Sequence, residues 1–371
     1  MLLPSRKSLV ALDIGSYSIK AIQLKKTQVG YELLNMGMVR LPPDTIVDGE
    51  IENPDAVVVG IKNLMKAENI KNRNVVIGIS GQSVIIKKIS VPVMDEDELA
   101  EMIRDESEQY IPFDLDDVNL DFQILTRPEE RSKKEKGKTE SNNSESAAED
   151  EDLQMDVLIV AARKDTIQGY LDVIAKAGLK VKVLDLDVFA IENAYEYSNK
   201  VEKGTAIALL NIGGSMSNLN ILEDGITAFT RDLQVGGNNI SENIQKNLSI
   251  GYADAEKLKL GNFNDSFKRE DVIPHILEGI ENVADEIGRS LEMYEKTSDF
   301  KISKVLISGG VCRMKDIDTI FSEKFGIPVK YLNTFKNIHY DAKVMDSSYI
   351  REMEPVMALP IGLALRAVGD K

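Results

Sequence analysis

One local pattern is written twice in this chain, as "ALDIGSYSIKAIQL" at 11–24 and "LLNIGGSMSNLNIL" at 209–222. In each copy an apolar run leads into one polar residue, Asp13 or Asn211, then Ile-Gly, then small and hydroxyl-bearing residues, then a second run. That order predicts a strand, a tight turn and a returning strand. A third strand follows each copy, "YELLNMGMVRL" in the first half and "ITAFTRDLQ" in the second. The same three-stranded opening in both halves confines the chain to two related α/β lobes, a duplication carried by pattern rather than by identity. A length of 371 residues accommodates two such lobes.

Between the two openings the pattern changes. A helix is predicted at 54–69, capped by Asn53 or Asp55, and "NVVIGIS" at 74–80 reads as a short strand buried on both faces. "SVIIKKISVPV" (83–93), "DEDELAEMIRDESEQYI" (95–111), "VNLDFQIL" (118–125), "QMDVLIVAAR" (154–163) and "DTIQGYLDVIAKAG" (165–178) spell strand, helix, strand, strand, helix, a small α+β domain. Inside it, 127–152 carries six basic and nine acidic residues and no bulky apolar one. Such a segment cannot offset its chain entropy, and a solvated, disordered excursion is expected there. In the second half a helical region runs to about 297, "KVLISGG" (304–310) is a strand ending in two glycines, a helix follows at 314–325, and a last helix lies near 355–368.

Charge and composition exclude several functions. A formal net charge of −16 opposes general nucleic-acid binding and adhesion to an anionic membrane face. One cysteine, Cys312, excludes a disulfide framework, fits a reducing cytoplasm and reads as a packed thiol. His275 and His339, far apart, make neither a metal pattern nor a Ser-His-Asp arrangement. Neither a signal peptide nor a long apolar run is present, so a cytoplasmic chain with no direct membrane anchor is expected.

The chemistry falls on the two turns. A Gly- and Ser-rich turn exposes backbone N–H groups on one side and makes an anion cradle. Magnesium wants a carboxylate and keeps its waters. Asp13, with Gly15, Ser16 and Ser18 behind it, meets both needs, and Lys20 can return along the second strand toward a phosphate chain. The Gly309-Gly310 turn adds a third glycine loop.

These stretches resemble the actin-like ATPase superfamily. "LDIGSYSIK" is similar to its first phosphate loop, "LNIGGSMSN" to its second, "VLISGGVCRMKDI" to its adenosine loop and "DAEKLKLG" to its Glu-x-x-Lys helix. The implied fold is α/β: an actin-like two-lobed fold of duplicated ribonuclease-H-like lobes with an inserted small α+β (SHS2-like) domain. The first lobe would comprise 1–83, 181–204 and 334–371; the insert, 84–180; the second lobe, 205–333, with a helical subdomain at 236–300. ATP and magnesium are the implied cofactors. The nucleotide would meet Asp13, Gly15, Ser16, Tyr17, Ser18 and Lys20 from the first loop, Asn211, Gly213, Gly214 and Ser215 from the second, and Gly236, Gly237, Glu256, Lys259, Gly309 and Gly310 beyond them, with Asp13 the magnesium residue, through water. Glu256 and Lys259 would flank the ribose and base; an exposed intrahelical pair is the other reading of their i, i+3 spacing.

Within the superfamily, the insert, the run "RDLQVGGNNISENIQKNLSIGYADAEKLK" and the ending "MALPIGLALRAVGDK" resemble the PilM family of type IV pilus assembly proteins. That resemblance implies an ATP-binding assembly protein that grips the cytoplasmic N-terminal tail of a PilN-like inner-membrane protein in a groove beside the insert. The protein would thereby be recruited to the inner face of the cytoplasmic membrane. Other pilus-assembly components and self-association are further partners the resemblance admits. It also marks a departure: the second loop usually opens on Asp, and here on Asn211, a poor general base. A second acid can stand at the helix start in "LDLDVFAIENA", where Asp187 is the candidate, with helix capping as its alternative role. Slow or negligible turnover is expected. The alternatives are an FtsA-like division protein, which characteristically ends in an amphipathic membrane helix, and a small-molecule kinase, for which no acceptor-site pattern is seen.

Overall fold

In the computed structural model, which describes residues 8–106, 109–126, 154–343 and 345–369, the two expected openings sit at the centres of two sheets. The strands are β1 (Val10–Ile14), β2 (Ser18–Thr27), β3 (Gly30–Arg40), the short pair β4 (Ile46–Val47) and β5 (Glu50–Ile51), β6 (Asn74–Ile79), β7 (Val84–Pro92), β8 (Val118–Thr126), β9 (Gln154–Arg163), β10 (Lys180–Leu186), β11 (Ala206–Ile212), β12 (Ser217–Glu223), β13 (Ile226–Leu233), β14 (Ile302–Ser308), β15 (Val329–Tyr331) and β16 (Ile338–His339). The helices are α1 (Pro54–Ala67), α2 (Glu96–Glu106), α3 (Lys164–Lys176), α4 (Asp187–Ser198), α5 (Gly237–Leu248), α6 (Tyr252–Lys259), α7 (Arg269–Thr297), α8 (Ile317–Phe325), α9 (Ser347–Met353) and α10 (Ala358–Leu365). The acidic-basic stretch 127–152 lies outside the described residues; the predicted strands fall where their periodicities put them, while three helices are shorter than expected, α2 ending at Glu106 instead of 111, α8 starting at Ile317 instead of 314 and α10 covering Ala358–Leu365 instead of 355–368.

The first sheet runs β10-β6-β1-β2-β3-β16 and the second β13-β12-β11-β14-β15. In each, the opening strand pairs antiparallel with the second, the second antiparallel with the third, and two parallel strands extend the other side. The same order and polarity in both sheets is the duplication that the repeated pattern predicts. Strand β1 is buried along its whole length, as a central strand of a mixed sheet covered on both faces must be.

The chain divides into two compact units, one of 83–168 and the other of the rest. The smaller holds β7, β9 and β8 in one antiparallel sheet with α2. Its core is Ile89, Val91, Leu99, Ile103, Ile111, Val118, Met155, Val157 and Ile159, built by alternate residues of the strands and one stripe of α2.

Within the larger unit, α4 packs on strands of both sheets, and α10 packs on α4 and the first sheet. "ALPIGLAL" is apolar all round and α10 is buried on every face. One continuous apolar cluster joins Ala11, Ile22 and Val76 of the first sheet, Ile191, Ala194, Ile361 and Leu363 of the helices, and Ile207, Leu209 and Leu306 of the second sheet. The far face of the second sheet packs on α5, α7 and α8 through Ile240, Ile244, Val283, Ile287 and Phe321. No helix among the described residues is long and apolar enough to cross a membrane.

One charged group crosses this shared layer. Glu192 of α4 accepts hydrogen bonds from Asn220 Nδ2 (2.9 Å) and Thr227 Oγ1 (2.6 Å) of the second sheet. Burial pushes its carboxyl from 4.5 to about 7, the two hydrogen bonds only partly opposing. An acid raised in the folded state favours folding below its unfolded pKa, and that contribution is lost as pH rises through the folded value. Stability from this group therefore declines between about 4.5 and about 7, by up to about 3 kcal/mol. Glu192→Gln is expected to flatten the melting temperature against pH over that window and to leave the protein more stable than wild type at pH ~8. A wild-type curve that is already flat there would overturn this.

Candidate functional site

The two turns are built alike. Gly15 N–H donates to Ser18 O (3.2 Å) in one and Gly213 N–H to Met216 O (2.9 Å) in the other, closing each loop on itself. The loops also meet, Ser215 N–H donating to Ser16 Oγ at 3.1 Å. Between them opens a cleft. Its walls carry Asp13, Gly15, Ser16, Tyr17, Ser18, Lys20, Asp187, Asn211, Gly213, Gly214, Ser215, Gly237, Glu256, Lys259 and Gly310. Gly236 and Gly309, also predicted for the site, stand behind the wall, the first against the Gly213 and Gly214 carbonyls and the second against that of Ile212.

The loops differ in charge. Asp13 and Lys20 face each other across the first hairpin and form an ion pair at 2.6 Å, both largely buried. Asn211 and Asn218 hold the same register across the second hairpin and form a neutral amide contact, Asn211 Nδ2 donating to Asn218 Oδ1 at 3.3 Å. The chain of donors runs one way. Ser308 Oγ donates to Asn211 Oδ1 (3.1 Å), Asn211 to Asn218, and Asn218 Nδ2 to Asp232 Oδ1 (2.8 Å). Asp232 Oδ2 also accepts the Gly81 N–H at 2.6 Å, which ties the first sheet to the second. The second lobe thus keeps a carboxylate one strand away from where the first lobe has it.

Asp187 opens α4 and points into the cleft, accepting from Ser80 Oγ at 2.6 Å. Burial raises its carboxyl to about 8, and the carboxylates of Asp13, Asp232 and Asp185 add to the rise while the Ser80 hydroxyl opposes it. A Cβ on Gly78 would collide with Asp187 Oδ1, so only glycine there lets the acid take this position. Asp232 is likewise raised, by burial, against its two hydrogen bonds.

Across the cleft, Glu256 and Lys259 form a buried ion pair, not the exposed pair that helical spacing alone allows. Lys259 Nζ also donates to Gly237 O (3.0 Å) and Ser241 Oγ (2.9 Å), so its three protons are all committed within the protein. Desolvation lowers Lys259, with Glu256 holding it up. Tyr17 stands near this pair: burial and then the Glu256 charge raise its phenol, and the Arg40 guanidinium lies 5.3 Å from its ring centre.

Ser80, Gly78, Asn218 and Asp232 are site residues the sequence patterns did not single out. Ser80 and Gly78 close a parallel strand beside β1, and the carboxyl ends of such strands are where α/β sheets bind ligands. Asn218, a polar residue inside an apolar strand, was the signal for the amide chain, while Asn220 in the same strand serves Glu192.

A hard dication fits this donor set in the sparse way magnesium prefers. Asp13 offers one carboxylate, and a nearby cation would relieve the repulsion that Asp13, Asp232 and Asp185 add to the effect of burial at Asp187. Among the described residues, no group of three or more His, Cys, Asp or Glu side chains is arranged to hold a metal ion.

Comparison with known proteins agrees with the geometry. The family model of the type IV pilus assembly protein PilM matches residues 11–138 and 142–368. The cell division protein FtsA of Bacillus subtilis (strain 168) is 24% identical over 268 residues, covering 67% of this chain and 57% of that protein. Ethanolamine utilization protein EutJ of Salmonella typhimurium is 24% identical over 161 residues, 42% of this chain and 49% of that protein. The chain thus spans about half the length of the curated relatives it matches. Among solved structures, a PilM-PilN type IV pilus biogenesis complex superposes with a TM-score of 0.82 at 25% identity, covering 98% of this chain and 100% of that one. EutJ from Carboxydothermus hydrogenoformans gives 0.55 at 15% identity, covering 98% and 90%, a likeness of fold. The architecture is that of the actin-like ATPases.

Proposed function

The chain belongs to the type IV pilus assembly protein PilM family, and on that premise we propose that it is an assembly protein that holds ATP in the cleft between its two loops and turns it over slowly or not at all. The observation that carries this reading is the pair of matched turns, charged in the first lobe and neutral in the second. The amides of Ser16, Tyr17 and Gly214, which take no acceptor among the described residues, would receive phosphate oxygens. Lys20 would supply the cation on that side and Asp13 the water-bridged contact to magnesium. When bound, magnesium supplies charge neutralisation along the polyphosphate.

Turnover needs a group that orients and deprotonates water. Asn211 is fully engaged as a neutral relay toward Asp232, and Asp187, held near pKa 8, is mostly protonated at neutral pH. Neither is a ready base in the free protein. The partner is the N-terminal tail of a PilN-like protein; the solved PilM-PilN complex supports this choice. ATP would then act as a structural ligand that sets the conformation the tail recognises.

The test is direct. The purified protein is incubated with magnesium-ATP, retained nucleotide and released phosphate are quantified, and a PilN tail peptide is added. Saturable retention with slow phosphate release, and tighter peptide binding in the nucleotide-loaded protein, are the expected results. Rapid release, or no retention, would overturn the reading. In the same assay Asn211→Asp is expected to raise turnover about tenfold or more, since it restores a water-orienting carboxylate; unchanged turnover means that the acid is not what limits. The FtsA likeness keeps a division-type filament as a second reading, and nucleotide-dependent sedimentable polymer would favour it.

A further inference from the structure

Seven cations lie on two adjoining segments of a chain that is otherwise strongly acidic. Residues 62–73 carry Lys62, Lys66, Lys71 and Arg73 with Glu68 as the lone acid, and 176–182 carry Lys176, Lys180 and Lys182 with none. The fold joins them: α1 ends beside the start of β6, β10 pairs with β6 at Lys180–Asn74, and Lys180 N–H donates to Arg73 O at 2.8 Å. All seven cations are exposed. Elsewhere Lys20, Lys88, Arg163, Lys259, Arg289, Lys304, Arg313 and Lys324 each sit on a carboxylate. None of these seven is within ion-pair distance of an acid among the described residues.

The patch is concave. Lys62, Lys66, Lys71 and Arg73 line a shallow depression together with Met65, Ile70 and Ala177, whose side chains are largely buried. Lys62 and Lys66 repeat at i, i+4 on one helix face, a like-charge spacing that costs helix stability. Val59, 56% exposed, extends the apolar part of that face by one turn.

We propose that this hollow docks an acidic segment of a partner protein, its carboxylates on the rim cations and an apolar side chain on the Met65–Ile70–Ala177 floor. Charge complementarity selects the acid, and the hollow selects a projecting segment over a flat one. The acidic remainder of the chain repels an anionic lipid face. Single-stranded nucleic acid wants aromatic platforms, and no aromatic residue lines the hollow. The site is separate from the nucleotide cleft, sharing no lining residue with it, so it stands or falls independently of the ATP-holding function.

The probe is a short fluorescein-labelled peptide of repeated Asp-Glu-Leu units, followed by anisotropy against the full chain. Binding is expected, weakening as salt is raised from about 50 to about 300 mM. The combined variant Lys62→Glu, Lys66→Glu, Lys71→Glu, Arg73→Glu is expected to lose at least about tenfold in affinity, with the melting temperature and nucleotide retention of wild type. A variant with the same charge change at exposed lysines elsewhere, Lys246→Glu, Lys268→Glu, Lys330→Glu, Lys336→Glu, is expected to bind as wild type. A peptide with Ser in place of Leu should bind more weakly, since it leaves the floor unfilled. The proposal is overturned by no binding, by equal loss in the two variants, by equal binding of the Ser peptide, or by tighter binding of phosphatidylglycerol vesicles or a single-stranded oligonucleotide than of the peptide.

Discussion

Gly362→Ala is expected to lower stability by about 3 kcal/mol or more, which for a chain of this size is a fall of roughly 4 °C or more in melting temperature. Gly362 lies where α10 crosses α4, and a Cβ there would be driven into the carbonyl of Ala190. The obstacle is backbone in a rigid helix, so no side-chain rotation relieves the overlap. Separating the helices would open the apolar layer that contains Ala190, Ile191, Ala194, Ile361 and Leu363 together with residues of both sheets. Overpacking usually costs about 1–3 kcal/mol, and the upper end or beyond applies where backbone meets backbone. Because one layer serves both sheets, the loss is expected as a single earlier transition in calorimetry. Gly169→Ala makes the matched control: it lies in α3, a Cβ meets nothing within 4 Å, and replacing a helical glycine should stabilise by about 0.5–1 kcal/mol. A Gly362→Ala protein that melts with wild type would mean that the helices do not cross at this glycine.

That contrast shows where the sequence was legible. The helix in "ALPIGLAL" is readable from composition; that it packs between α4 and the first sheet is not, since an apolar segment does not say what covers it. The turns were legible because each is local: strand, Ile-Gly and returning strand lie within a dozen residues, and Asp13–Lys20 follows from hairpin register. In that register Lys20 Nζ donates to the Asp13 carboxylate. Asp232 could not be seen from its neighbours. It enters the site through the pairing of β12 with β13, and through Gly81, distant in sequence. Glu256 and Lys259 have the i, i+3 spacing of any surface pair, and only the packing of α5 over α6, with Ser241 between, buries them. Long-range register and burial were the missing quantities, and neither is encoded in a local pattern.

Asp13→Asn is expected to reduce the affinity for magnesium-ATP by about 100-fold while leaving the affinity for ATP without magnesium unchanged or higher. The substitution keeps the shape of the side chain and removes one charge. Lys20, at 2.6 Å from the Asp13 carboxylate, loses its partner and becomes a free cation facing the cleft, which favours bare polyphosphate. The carboxylate that fits a hydrated magnesium ion is gone, and a hydrogen bond to a charged group is worth about 1.5–3 kcal/mol. Asp187 responds as well. The Asp13 charge is the foremost electrostatic cause of its elevation to about 8, after burial. Without that neighbour the Asp187 pKa falls, and the acid ionises at lower pH than in wild type. Titration calorimetry with and without magnesium reads the change in affinity, and carboxyl infrared or carbon NMR titration reads the change at Asp187. The two-loop reading does not survive if Asp13→Asn keeps the magnesium dependence of wild type. If the dependence is lost and Asp187 still titrates near 8, then burial alone holds that acid protonated, and what must change for turnover is the hydration of the cleft rather than the charge at position 13.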